Sequence, residues 1–260
     1  MRVVAILTSA GSGTRLGAVG PKALVPLAGV PLVVRAARAL VACGRLSRLV
    51  VTAGAEHVEA MRAALATADP PVDAVVVLGG ATRQASVAAG LELLLQEGSG
   101  PTVVLVHDAA RPLVPTAVVQ RVIDAVESGH EAVVPGLPVT DTVKLVDLPP
   151  ADATVQDDGA RRVLGTPDRR ALRAVQTPQG FTLDVLGRAH RAGAARAGDE
   201  RTAATDDAAL AEAIGVDVWV VAGHEDALKI TTPRDLVLAE LLLAGAGAPS
   251  SADTAVGSAR

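Results

Sequence analysis

Residues 8–17 read Thr-Ser-Ala-Gly-Ser-Gly-Thr-Arg-Leu-Gly, and Pro21-Lys22 follow shortly after. Ala10, Gly11 and Gly13 leave backbone N–H groups uncovered, so such a loop can wrap phosphate oxygens. Arg15 and Lys22 add two cations in the same stretch. The chemistry this suggests is phosphoryl or nucleotidyl transfer, in which fixed positive charge steadies a triphosphate. A dinucleotide fingerprint needs G-x-G-x-x-G, and here the third glycine, Gly17, is one residue late. A P-loop needs a Gly-Lys-Ser/Thr ending, which the chain lacks. A glycine turn carrying two solvated cations is the plainer reading of the loop alone.

Three further segments carry candidate chemistry. In Val106-His107-Asp108-Ala109-Ala110-Arg111-Pro112, Asp108 can hold a hard cation such as Mg²⁺, which takes one or two carboxylates plus substrate phosphates. Arg111 can pair with a phosphate through its guanidinium fork. The plainer alternative is an aspartate helix cap and a surface arginine; His107 reads as structural. In residues 79–87, a glycine turn runs into a helix start. Backbone at Gly80 and Ala81 could read a base edge, with Ser86 bonding to it, or Thr82 simply caps a helix on which Arg83 is a solvated charge. Lys229 stands between Leu228 and Ile230 ahead of a Thr-Pro helix start, placed to neutralise phosphate or to be a solvated strand-end lysine. Thr205-Asp206-Asp207 is chiefly a helix-cap signal. The remaining histidines show no metal-ligand spacing, and no Gly-x-Ser-x-Gly elbow supports a serine nucleophile.

These segments need a frame. Apolar runs at 3–7, 49–52, 74–78, 102–106 and 132–134 read as buried strands. Between them, 32–43, 57–66, 84–95 and 117–127 have helical spacing. The alternation predicts an α/β fold: a Rossmann-like, mainly parallel sheet with helices on both faces. Ligands of such sheets sit at the carboxyl ends of the strands, where the glycine loop and the Asp108 segment both fall. The alternation stops after Pro135. Residues 136–174 hold four prolines and two short β-like runs, 142–146 and 161–164, and read as a projecting β-arm that packs on a second subunit. Helices are expected again at 183–195, 206–214 and 234–243, with a strand at 216–221. The whole is expected to be one domain over 1–244, with a disordered tail at 245–260.

Composition excludes several classes. A net charge of −4 and two aromatic residues, Phe181 and Trp219, argue against a nucleic-acid partner. The single cysteine, Cys43, rules out an intramolecular disulfide and any cysteine-cluster metal site. No apolar run is long enough to span a membrane, and the residues ahead of the glycine loop are too few for a signal peptide. A cytoplasmic protein is expected.

Taken in order, these segments resemble the 2-C-methyl-D-erythritol 4-phosphate cytidylyltransferases, a family of the sugar-nucleotide-pyrophosphorylase-like nucleotidyltransferases. The likeness runs from the first strand to Leu243. It rests on residues 10–17 with Pro21-Lys22, 79–87 and 106–112, and continues through Asp141-Thr142-Val143-Lys144, Gln176-Thr177-Pro178-Gln179, Thr205-Asp206-Asp207-Ala208 and Leu228-Lys229-Ile230-Thr231. It implies that Arg15, Lys22 and Lys229 stabilise the triphosphate and that Asp108 holds Mg²⁺. It implies that Ser86 and backbone at Ala10, Gly11, Gly13, Gly80 and Ala81 bind the nucleotide, CTP. Arg111, Thr142, Arg169, Thr205 and Lys229 would surround the phosphate of a polyol phosphate. Thr142 and Arg169 would arrive from the partner's arm in a homodimer, with Arg170 the neighbouring choice for the arm arginine. Thr8-Ser9, where the family often has Pro-Ala, Ala81 and Arg173 depart from the family pattern. A ribitol 5-phosphate cytidylyltransferase is the nearest alternative, and a nucleotide-binding module without catalysis comes from another class. A nicotinamide dehydrogenase is disfavoured by the late glycine.

Overall fold

The computed structural model describes residues 1–9, 20–68, 72–98, 100, 102–147, 160–199 and 202–246. Its strands in chain order are β1 (Arg2–Thr8), β2 (Pro26–Leu27), β3 (Val30–Pro31), β4 (Leu46–Ala53), β5 (Val75–Leu78), β6 (Thr102–Asp108), β7 (Ala132–Pro138), β8 (Leu145–Val146), β9 (Val163–Gly165), β10 (Arg173–Val175), β11 (Gln179–Thr182) and β12 (Val218–Ala222). The helices are α1 (Leu32–Val41), α2 (Val58–Ala66), α3 (Arg83–Gln96), α4 (Thr116–Glu127), α5 (Leu183–Gly193), α6 (Asp207–Ala213) and α7 (Pro233–Ala246).

Continuous apolar strands demand cover on both faces, and the side chains of β1 divide accordingly. Val3, Ala5 and Leu7 pack with Val51, Val103 and Leu105 under α1, α2 and α4. Val4 and Ile6 pack with Val50, Val104 and Val106 under α3, α5 and α6. Each such valine, leucine or isoleucine side chain, fully buried, contributes about 1.5–3 kcal/mol. Aliphatic residues fill nearly all of this core, with Phe181 its one aromatic residue among those described.

The sheet runs β10-β7-β11-β6-β1-β4-β5, and β12 pairs with β7. The pairs β1·β4, β1·β6, β4·β5 and β7·β12 are parallel. The two strands of this sheet unforeseen in the sequence, β10 and β11, are antiparallel: β11 lies between β6 and β7, and β10 borders β7. Residues 136–138 and 173–174 therefore belong to the main sheet, not to the arm as expected. The arm itself carries a separate antiparallel pair, β8 with β9, and exposes Leu145, Val146, Val163 and Leu164. At the C-terminus, α7 runs to Ala246, past the expected end of order at 244; the rest of the expected tail lies outside the described residues.

Candidate active site

Parallel pairing brings the carboxyl ends of β1 and β6 side by side, with Thr8 opposite Asp108. Three segments then converge on the Asp108 carboxylate. From α3, Arg83 places Nε 3.0 Å from Oδ1. From the segment after β12, Lys229 places Nζ 2.8 Å from Oδ2. From β1, the Thr8 hydroxyl donates to Oδ1 at 3.3 Å. A fourth segment holds the backbone, where the Asp108 N–H donates to Thr177 Oγ1 at 3.1 Å. Burial alone would raise the Asp108 carboxyl, but the charges of Arg83 and Lys229 outweigh it and hold it well below the usual carboxylate range. It is an anion at any working pH.

The turn that follows is fixed by its own residues. The Arg111 N–H donates to the Asp108 carbonyl at 2.9 Å. His107 is fully buried and spends both ring nitrogens: Nε2 lies 3.1 Å from the Arg111 carbonyl and Nδ1 2.9 Å from the Thr177 hydroxyl. The carbonyl can only accept, so Nε2 carries the proton and Nδ1 accepts from Thr177. Burial is the main reason that the imidazole is pushed down to about 4 and stays neutral. Arg111 is half-buried rather than on the surface. Its Nη1 donates to the Ala227 carbonyl at 2.6 Å, and its Nε is buried with no partner among the described residues. Ile230 N–H donates to the Ala110 carbonyl at 2.8 Å, which docks the Lys229 segment on the same turn. Asp108 caps no helix; the next helix, α4, begins after Pro115 and has no side-chain cap.

Arg83 is not a solvated helix charge, which was the plainer of the two readings of its segment. Its Nη1 lies 2.8 Å from Asp207 Oδ2, so the guanidinium bridges two aspartates. Burial opposes its charge, and Asp207 with Asp108 raises its pKa regardless. Nothing local in the sequence marks it, because Asp207 lies 124 residues on. Thr82 caps α3 as expected, accepting from Ala85 N–H. Asp206 likewise caps α6. Thr177 and Gln179, known beforehand only as parts of a motif, acquire roles. Thr177 ties β6 to the turn, and Gln179 Oε1 accepts from the N–H groups of Asp207 and Ala208 at 3.2 Å.

The glycine turn after β5 is a close fit. A Cβ on Gly80 would lie 2.3 Å from the Ala85 Cβ, so only glycine lets this backbone approach α3. Ser86 is fully buried, and its hydroxyl is held by the Gly80 and Thr82 carbonyls at 3.2 and 2.9 Å. It shapes the turn, while Ala81 stands exposed on it. Lys22 opens a short 3-10 turn, Lys22–Leu24, and is half-buried. Thr205 is exposed beside the cap of α6, and the neighbouring Ala204 N–H is held by Gln84 Oε1 at 2.9 Å. Thr142 and Arg169 are exposed on the arm. Arg169 donates to the Thr140 carbonyl, whereas Arg170 is taken up by Asp168 at 2.7 Å. Neither Thr142 nor Arg169 touches the Asp108 cluster of its own chain among the described contacts. Ala10, Gly11, Gly13 and Arg15 lie outside the described residues.

Among the described residues no group of three or more His, Cys, Asp or Glu side chains could form a metal cage. One ionised carboxylate at the mouth of a cationic cluster instead suits a Mg²⁺ ion that arrives on a triphosphate and keeps water and phosphate ligands.

The family model for 2-C-methyl-D-erythritol 4-phosphate cytidylyltransferase matches residues 3–245. A relative of that name from Streptomyces coelicolor is 48% identical over 246 residues, spanning 94% of this chain and 85% of its own length. One from Saccharopolyspora erythraea is 50% identical over 244 residues, spanning 94% and 100%. The crystal structure of 2-C-methyl-D-erythritol 4-phosphate cytidylyltransferase from Thermus thermophilus aligns with a TM-score of 0.66 at 36% identity, covering 93% of this chain and 98% of that one. The molecule is thus an α/β nucleotidyltransferase. Within that class, the chain belongs to the 2-C-methyl-D-erythritol 4-phosphate cytidylyltransferase family.

Proposed function

We infer that the protein transfers CMP from CTP to the phosphate of 2-C-methyl-D-erythritol 4-phosphate. The products are 4-diphosphocytidyl-2-C-methyl-D-erythritol and pyrophosphate, a step of non-mevalonate isoprenoid precursor synthesis. Beyond family membership, the observation that carries this reading is the ionised Asp108 set between Arg83 and Lys229 at the carboxyl ends of the strands.

A phosphate monoester has a second pKa near 6, so at neutral pH it is largely a dianion and already a nucleophile. The reaction needs no general base, and His107, the histidine beside Asp108, has both nitrogens engaged. Catalysis is then positioning plus electrostatic stabilisation of an in-line displacement at the α-phosphorus. Arg15, Lys22 and Lys229 would meet the charge that grows there. Asp108 would hold Mg²⁺, which supplies further charge neutralisation when bound. The turn at Gly80-Ala81 would present backbone groups to the cytosine edge, with Ser86 fixing its shape. Arg111, whose buried Nε has no partner among the described residues, would hold the polyol phosphate together with Thr205 and Lys229.

The exposed apolar residues of β8 and β9 support a homodimer in which the arm delivers Thr142 and Arg169 to the partner's site. Arg169, lying against Thr140 on the same arm, is a better candidate than Arg170, which Asp168 occupies. No helix among the described residues is long and apolar enough to cross a membrane; phosphorylated, water-soluble substrates suit a cytoplasmic enzyme.

Pyrophosphate release with CTP, measured against 2-C-methyl-D-erythritol 4-phosphate and ribitol 5-phosphate in parallel, tests the assignment. Turnover is expected with the first. Turnover of ribitol 5-phosphate alone would reassign the acceptor, and tight CTP·Mg²⁺ binding with no turnover of either would reassign the protein as a binding module.

A further inference from the structure

We propose that Arg83 is a positioning residue: braced from behind by Asp207 and His190, it pins Oδ1 of Asp108 and leaves Oδ2 as the oxygen that meets the nucleotide's cation. The proposal rests on the reading that Asp108 holds that cation. The brace crosses four elements. Asp108 ends β6, Arg83 opens α3, Asp207 opens α6 and His190 lies on α5. Arg83 Nε reaches Asp108 at 3.0 Å and Nη1 reaches Asp207 at 2.8 Å. His190 Nε2 lies 2.8 Å from the other Asp207 oxygen.

The Asp207 side chain is 1% exposed. Burial alone would raise its carboxyl, but Arg83 outweighs that and keeps it ionised. An ionised carboxylate only accepts, so His190 Nε2 must donate. Asp207 is therefore held by a guanidinium, an imidazole and, through its own N–H, by Gln179. A planar guanidinium with an aspartate at each end is a rigid strut, since its donors form a fixed fork.

Fold stability is a poor reason for such a network. Burying paired charges typically gains little over an apolar filling of the same volume. Its outer end, however, is Asp108. The two cations on Asp108 also differ. The Arg83 side chain is 22% exposed and fastened at its far side, whereas the Lys229 side chain is 44% exposed and, among the described residues, held at its tip. Lys229 is the partner that can swing from Oδ2 to a phosphate, and Arg83 is the one that stays. Partners that orient a ligating carboxylate are typically worth about 10–100-fold in metal affinity.

The test titrates Mn²⁺ by electron paramagnetic resonance into the full-length protein carrying an α,β-methylene analogue of CTP. Arg83→Lys, which can reach only one aspartate, and Asp207→Asn should each weaken Mn²⁺ by about tenfold or more. The double variant should be no weaker than the worse single one, because both break one strut. His190→Gln, which keeps a donor, should bind as wild type, and His190→Leu should resemble Asp207→Asn. If Asp207→Asn does not fold, judged by its thermal transition, Arg83→Lys and the His190 pair decide the matter. Asp108→Asn is the control. If it weakens Mn²⁺ while Arg83→Lys and Asp207→Asn do not, the brace is overturned. Loss in Arg83→Lys alone, with Asp207→Asn at wild-type affinity, also overturns it and makes Arg83 a direct ligand contact. Unchanged affinity in Asp108→Asn instead removes the metal reading beneath it.

Discussion

Lys22 and Arg15 illustrate what single residues contribute. They belong to a stretch of small side chains, and in the proposed function their charge would meet the phosphorus as it becomes five-coordinate. Replacing either with alanine should leave the circular dichroism spectrum intact and lower kcat by ~10²–10³-fold, as loss of one oxyanion-type contact does. Near-wild-type kcat in both variants would make them solvated surface. Asp108, Arg111 and Lys229 were legible in the sequence because a charge next to a buried strand end or between apolar neighbours needs a reason. Arg83 was not. An arginine in the first turn of a helix looks the same whether water or a distant aspartate receives it, and only the fold brings Asp207 across. Thr8 was equally silent: a threonine at the end of a strand is ordinary until β6 sets Asp108 opposite.

Among the elements, α7 bears on Lys229, because the segment that carries this residue feeds directly into the helix. The helix starts with a reciprocal cap. Thr232 Oγ1 accepts from Asp235 N–H at 3.3 Å, while Asp235 Oδ2 accepts from the N–H groups of Thr231 and Thr232 at 2.7 and 2.8 Å, with Pro233 at the first helical position. Burial disfavours the ionised Asp235, but the bonds from Thr231 and Thr232 prevail and lower it to about 2. A carboxyl depressed on folding adds stability above its unfolded pKa and loses it as pH falls. Asp235→Ala should therefore cost about 1 kcal/mol at neutral pH in urea melts. The gap to wild type should narrow as pH drops from about 4 towards about 2. A constant gap over that range would mean that the bonds to the ionised form are not what stabilise the cap. The parallel strands could be read from the sequence because each contains a continuous apolar run. The strand β11 could not: Gln179-Gly180-Phe181-Thr182 has one large apolar residue. Its glycine, far from marking a turn, admits α4, since a Cβ on Gly180 would lie 2.5 Å from Val122 Cγ1.

At the scale of the whole molecule, the proposal that a partner's arm completes the site is tested by mixing. Arg169→Ala and Lys22→Ala homodimers should each be nearly inactive. In a mixed dimer of two-fold symmetry, one site would carry both lesions and the other neither. Co-refolding the two should restore up to about half the activity per mixed dimer. No recovery on mixing, or a monomer in sedimentation at assay concentration, would return the arm to its own subunit. The arm's composition gave it away as something other than core, while its roots in β7 and β10 were hidden because Pro135 and Pro138 look like the end of order. Those roots have a further consequence for synthesis on the ribosome. Translation delivers β6 and β7 first, then the whole arm, and only afterwards β11, the strand that fills the place between them. Until Thr182 has left the exit tunnel, the nascent chain holds two central strands with unmatched edges facing one another. The strand that closes the middle of the sheet is supplied after both of the strands it joins, and a chain released early would present that open seam to its neighbours.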